Sequence, residues 1–340
     1  MSLIYQILGK PFRDNALHVC LSTGSSLYRF LFDCGEAVLS GMGLSEIQEN
    51  DGLFFSHFHT DHIAGMDSFI RVNYDRSHKK VKVYGPEDTL RVLGHRLQGF
   101  TWNLVQNNRC IWEVQEIQKQ KIHKGLYYTS EGFSSIHDYS IFPWEKTIDS
   151  QDFFDIKAIS LYHGIPSLGY LIQEKCKFNI DKEKLASLGF SHGPWLKKVK
   201  EYSNTQKEDM IKIGEREYNL KELQEFLLVP IPGESIAYLT DFLLDDNTEK
   251  NLLDFLPKGC ILVCESQYSK EDKDLARKNY HLTSEDAAHI AKISEAKELI
   301  LIHFSQRYQS YQIMKMLEDA MSIFPETHLP QEWISFFREC

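Results

Sequence analysis

The sequence has no apolar run approaching the ~20 residues that a membrane span requires. It also lacks an N-terminal basic region followed by a long apolar core. Neither a membrane-spanning nor a secreted chain is indicated, and the cytoplasm is the expected compartment. Cysteine is sparse and unpatterned: Cys20, Cys34, Cys110, Cys176, Cys260, Cys264 and Cys340 are odd in number, scattered, and form no Cys-x-x-Cys pair. That argues against a disulfide framework or a cysteine zinc site and favours reduced, mostly buried thiols. Positive charge is short as well, and the net charge is −10. A chain of that sign repels nucleic acid overall, so any nucleic-acid function requires a local basic patch. No internal repeat or low-complexity segment is present.

What remains is a composition of 42% hydrophobic and 25% charged residues over 340 positions, typical of a soluble globular chain. That length suits one large domain, or one domain with an insertion. Its most informative stretch runs from Leu53 to Met66 (LFFSHFHTDHIAGM). Three apolar residues, Leu53 to Phe55, predict a strand buried on both faces. Directly after it come His57, His59, Asp61 and His62. Open α/β sheets hold their ligands at such strand ends. Imidazole and carboxylate at this density fit zinc, with manganese as the harder option. A solvated polar turn would need four strong ligand types to fall together by chance.

The remaining chain alternates strand and helix signals. Strands are predicted at Leu3–Leu8, at Leu27–Glu36 (ending in Asp33-Cys34-Gly35-Glu36) and at Val81–Pro86, where Gly-Pro stops the run. A helix is predicted over Glu87–Phe100 from the spacing of Leu90, Leu93 and Leu97. Residues 101–155 read as short strands and loops, with Trp102, Trp112 and Trp144 as core residues. A strand within Ile156–Tyr170 carries His163 to its end, where Gly164 and Pro166 break it. Further strands lead to Asp241 (Ser235–Asp246), to Glu265 (Cys260–Tyr268) and to His303 (Leu299–Tyr308). Helices are predicted at Ser284–Ala296, with Thr283 and Asp286 as a capping pair, and at Tyr311–Phe324. Between Glu174 and Lys200, seven lysines stand against three carboxylates, a basic patch that the global charge hides. A solvated helical face accounts for such a patch equally simply.

His-x-His-x-Asp-His at 57–62 resembles the signature of the metallo-β-lactamase superfamily. Four further segments resemble one family in it, ribonuclease Z. They are His163-Gly164 with Gly169-Tyr170, Asp181–Leu196 (DKEKLASLGFSHGPWL), His281–Lys292 (HLTSEDAAHIAK) and Leu299–Tyr308 (LILIHFSQRY). The resemblance covers most of 27–324 and implies a single αββα domain, with 173–230 an inserted arm rather than a second domain. It implies that His57, His59 and His163 hold one metal, Asp61, His62 and His303 a second, and that Asp241 bridges them. Two zinc ions per chain are expected, with manganese possible. Asp61 would orient the nucleophile or accept its proton. His281, backed by Glu265, would stabilise the phosphoryl oxygens or protonate the leaving 3′ oxygen. Asp33 is either a support of the metal loop, as in the family, or a plain turn residue.

The implied activity is hydrolysis of a phosphodiester in precursor tRNA, 3′ to the acceptor stem, by a homodimer whose arm grips the tRNA body. Lys197, Lys198 and Lys200 are the candidate RNA contacts. Two departures from the family pattern stand out: Thr240-Asp241-Phe242 replaces Gly-Asp-Thr, and Cys264 replaces the histidine before Glu265. They favour an alternative, a diverged phosphodiesterase acting on another diester such as a cyclic nucleotide. A non-catalytic RNA-binding module should have lost metal ligands, and none is missing. The other eight histidines are expected at the surface or satisfied in the core.

Overall fold

The protein is described by a computed structural model covering residues 2–24, 26–202 and 210–338. Cys340 and positions 203–209 of the 173–230 segment lie outside the described residues. The chain forms two compact units: 1–151, 155–173 and 234–340 make the larger, and 152–154 with 174–233 the smaller.

Two sheets build the larger unit. The first has eight strands in chain order: Ser2–Leu8, Ala16–Ser22, Leu27–Phe32, Gly52–Phe54, Val81–Gly85, Ile111–Ile117, Lys121–Tyr128 and His137–Pro143. Its middle is parallel from Leu27–Phe32 through Ile111–Ile117, and antiparallel hairpins close both ends. In the second sheet the order is Thr327–His328, Glu298–Ile302, Ile261–Glu265, Ser235–Leu239, Pro166–Glu174, Phe154–Tyr162 and Thr147–Ser150.

The sheets meet through aromatic side chains. Phe32 and Phe54 pack on Tyr170 with ring centroids 5.5 and 5.4 Å apart, and Phe32 lies 6.0 Å from Tyr238. The Tyr170 hydroxyl donates to the carbonyl of Phe55 at 2.7 Å and that of Tyr238 to Asp33 Oδ2 at 3.0 Å, so both phenols in this apolar seam have partners. On the outer face of the first sheet, Phe69, Ile70, Leu90, Leu93 and Leu97 of helices Met66–Asn73 and Thr89–Gln98 cover Leu53, Val83, Trp112 and Val114. Helices Ser284–Ile293 and Ser310–Ile323 pack together, and the first of them lies on the strands Ile261–Glu265 and Glu298–Ile302. Helix, sheet, sheet and helix are therefore stacked in that order, the αββα arrangement.

Gly52–Phe54 is buried along its length, as a doubly covered strand must be. Thr283 and Asp286 form the expected capping box, with the Thr283 hydroxyl accepting from the Asp286 N–H at 3.1 Å. The 111–143 region is more regular than its sequence suggests, with three strands of seven or eight residues. The strand Ile111–Ile117 is buried on both faces, including Glu113, Gln115 and Glu116, while His137–Pro143 is largely exposed. Each alternates apolar and polar residues over only four positions (WEVQ at 112–115, DYSI at 138–141), the shortest run from which a strand is read. Trp112 is fully buried and Trp102 packs against the same core.

The smaller unit has its own core, built by Leu185, Leu196, Val199, Leu220, Leu223 and Leu227. Its helices Lys182–Ser187 and Leu220–Leu227 are capped by the side chains of Asp181 and Asn219. Among the described residues, Cys34, Cys110, Cys260 and Cys264 are buried, Cys176 is exposed, and none forms a disulfide. No described helix is long and apolar enough to cross a membrane.

Candidate metal centre

Five strands deliver side chains to one place. His57 follows Gly52–Phe54, and Asp241, Glu265 and His303 stand at or just after the ends of three mutually parallel strands. His163 follows the end of Phe154–Tyr162, and the turn at Gly164 folds it inward.

Asp241 is the pivot. Its Oδ2 lies 3.7 Å from His57 Nε2 and 3.5 Å from His163 Nε2. Its Oδ1 lies 3.6 Å from His62 Nε2 and 3.4 Å from His303 Nδ1. Asp61 Oδ2 completes the second group at 3.4 Å from both His62 Nε2 and His303 Nε2. Donor atoms of His57, His59, His163 and Asp241 lie within 4.8 Å of one another, as do those of Asp61, His62 and His303. The spacings suit donors around a shared cation: with zinc–nitrogen bonds of about 2.0–2.1 Å, tetrahedral ligands stand roughly 3.3–3.4 Å apart.

Two further observations show that these residues fit metal. First, His57 Nε2, His62 Nε2 and His303 Nδ1 are buried with no hydrogen-bond partner, an arrangement that costs free energy unless something accepts their lone pairs. Second, the pocket is short of positive charge. Burial alone would hold His62 and His303 neutral, yet Asp241, with Asp33 beside His62 and Asp61 beside His303, pulls both up. Burial likewise raises the Asp61 carboxyl, but hydrogen bonds from His303 and His62 outweigh it and hold it well below the usual range. His57, buried among other imidazoles, is held neutral, the form that can ligate.

A surrounding layer fixes the ring orientations. His62 Nδ1 lies 2.7 Å from Asp33 Oδ2, His57 Nδ1 3.1 Å from Ser56 Oγ, and His163 Nδ1 2.8 Å from the Tyr280 carbonyl. Asp33 also accepts from the N–H and hydroxyl of Ser56 and from the Tyr238 hydroxyl. It is therefore the support of the metal loop, not a plain turn residue. Gly35 is obligatory beside it, because a Cβ there would stand 2.2 Å from the carbonyl oxygen of Asp61. Asp33, Asp241, Tyr280 and His303 all take positive φ (62°, 52°, 59° and 59°), a conformation that non-glycine residues hold only when their surroundings fix it.

His281 Nδ1 lies 2.8 Å from Glu265 Oε2, and this carboxylate outweighs burial to lift the imidazole to about 9. The other oxygen of Glu265 accepts the Phe242 N–H at 2.8 Å. Both departures from the family pattern are thereby absorbed. Thr240 does not take a positive φ, so its position does not demand glycine, and its hydroxyl donates to Asp241 Oδ1 at 2.6 Å. Cys264 is fully buried, and strand alternation turns its side chain to the face opposite Glu265, so it takes no part in holding that carboxylate. A cavity of about 410 Å³ adjoins His281, lined also by Leu243, Lys273, Arg277 and His289.

Three supports carried no sequence signal. They are Ser56, Tyr238 and Asn15, whose Oδ1 accepts the His303 N–H at 3.1 Å across 288 positions. Lys197, Lys198 and Lys200 are exposed on the helix Trp195–Glu201 of the smaller unit. Lys197 and Lys200, with Asn179, Lys182 and His192, line a cavity of about 450 Å³; Lys198 does not.

Layers and site together define a metal-dependent hydrolase of the metallo-β-lactamase fold. The chain is 38% identical over 328 residues to ribonuclease Z of Deinococcus radiodurans, covering 96% of this chain and 98% of that one. It therefore belongs to the ribonuclease Z family, and residues 8–186 also place it in the family described as anti-Pycsar protein Apyc1. Two solved structures share the fold. They are the metallo-β-lactamase fold protein YhfI from Bacillus subtilis (TM-score 0.56, 14% identity, 97% and 96% of the chains) and the short form of human tRNase Z (0.52, 18%, 90% and 94%).

Proposed function

We propose that this chain is a binuclear zinc endoribonuclease that hydrolyses precursor tRNA on the 3′ side of the acceptor stem. Manganese is the alternative metal. The observation that carries this is Asp241, whose two oxygens face two different imidazole pairs. One metal group would comprise His57, His59 and His163, the other Asp61, His62 and His303, with Asp241 shared. Metals bound there would supply Lewis-acid neutralisation of phosphoryl charge and activation of water for in-line attack.

The chain's own residues do the rest. Asp61, with its side chain 45% exposed, is open to solvent and would orient the attacking water or accept its proton. His281, with Nδ1 committed to Glu265, keeps Nε2 to donate a proton to the leaving 3′ oxygen. Lys197 and Lys200, with Lys182 and His192, offer a positive concavity to the phosphates of the tRNA body. Binding energy gained there positions the distant scissile bond. The homodimer and the cytoplasmic location belong to the same proposal and follow the family resemblance.

The function is tested with an internally labelled, 3′-extended precursor tRNA. One internal cut at the acceptor-stem end, leaving a 3′ hydroxyl on the tRNA and releasing an intact trailer, is expected. Removal of the trailer one nucleotide at a time would refute the endonuclease.

A further inference from the structure

Tyr162 immediately precedes His163, and Tyr280 immediately precedes His281. Their rings meet each other edge-to-face, with centroids 5.4 Å apart and planes at 85°. Tyr162 is 51% exposed, so its ring is open to a ligand. The Tyr280 ring stands 6.5 Å from that of His163 and packs over Gly164, where a Cβ would come within 3.2 Å of it. Glycine at 164 therefore gives the ring its place, and the positive φ of Tyr280 turns its carbonyl onto His163 Nδ1. The Tyr162 carbonyl in turn accepts the N–H of Leu243, a residue lining the cavity beside His281. Two rings at right angles thus form a corner next to the reacting centre, tied to it by one backbone hydrogen bond and one from the His163 side chain.

The hydrolysis described above has no use for such a corner, since neither phenol reaches the metal groups. Every nucleobase, by contrast, presents a flat π-face that stacks on an aromatic ring, with little regard to sequence. We infer that Tyr162 and Tyr280 form a subsite for the base of the nucleotide carrying the leaving 3′ oxygen. The side of the scissile bond follows from Tyr280 adjoining His281, the proposed donor to that oxygen. This inference rests on the phosphodiesterase function but not on tRNA as the substrate.

The test uses the metal-loaded full chain hydrolysing methyl p-nitrophenyl phosphate, with adenosine 3′-monophosphate and ribose 3-phosphate as competing inhibitors. Adenosine 3′-monophosphate should bind more tightly by about 5- to 150-fold, the range of base–aromatic stacking. Tyr162→Ala should erase that ratio, and Tyr162→Trp should restore it. A ratio near one in the unaltered protein, or a ratio untouched by Tyr162→Ala, overturns the subsite. Both inhibitors weakening equally in Tyr162→Ala would assign Tyr162 to the local fold and also overturn it. Failure of the tRNA assignment would look different: precursor tRNA left intact while the inhibitor ratio and its dependence on Tyr162 persist.

Discussion

His62 Nδ1 lies 2.7 Å from Asp33 Oδ2, and both side chains are buried. That contact fixes the tautomer of His62, so that Nε2 faces Asp61 and Asp241. Asp33 is not placed to ligate; it orients a ligand. Asp33→Asn should lower metal affinity by about 10–100-fold, the usual effect of losing such a support. Competition with a chelator measures it, and unchanged affinity would show that the contact is incidental.

Asp61 has the most demanding double role, as a donor to the second metal group and as the proton acceptor. Asp61→Ala should cut turnover of bis-p-nitrophenyl phosphate by at least ~10², the contribution of a general base. Steady-state kinetics at saturating metal decide the point. Activity within a few-fold of the parent would remove Asp61 from the chemistry.

His281 is given a different part. Its Nδ1 is committed to Glu265, although its donors also lie within 4.8 Å of those of Asp241 and His303. His281→Ala should slow hydrolysis while elemental analysis finds the metal content near normal. A variant stripped of one metal would make His281 a ligand and reverse this division of roles.

Much of the site was legible because four candidate ligands crowd into six positions after a doubly buried strand. His163, Asp241 and His303 were not legible in that way. Each is a single residue in its own segment, and only resemblance to a family gathered them. The layer behind them was darker still, because an asparagine such as Asn15 in a loop has no periodic signal. Thr240 and Cys264 were legible as departures but not in their effect, which depends on the φ of Thr240 itself and on which face of a strand Cys264 occupies. In the fold, strands made of aliphatic runs, such as Ile261–Glu265 and Glu298–Ile302, announced themselves, whereas Ile111–Ile117, with Glu113, Gln115 and Glu116 buried in it, and the exposed His137–Pro143 did not.

The lysines separate substrate recognition from chemistry. Changing Lys197, Lys198 and Lys200 together to Ala should weaken cleavage of precursor tRNA strongly, with the loss concentrated on that substrate rather than on bis-p-nitrophenyl phosphate. The slope of log affinity against log salt should flatten by up to about three phosphate contacts. Since only Lys197 and Lys200 face the common cavity, Lys198→Ala alone should have the smallest effect of the three. Equal losses on both substrates would point to a damaged fold.

The central claim is that two metal groups sharing Asp241 cut precursor tRNA. Stripping the protein with chelator and titrating zinc back against labelled 3′-extended precursor tRNA tests it most directly. The predicted result is an inactive stripped protein, recovery that completes at about two zinc per chain, and a single cut at the acceptor-stem end. Full activity at one zinc per chain, or in the stripped protein, would contradict it.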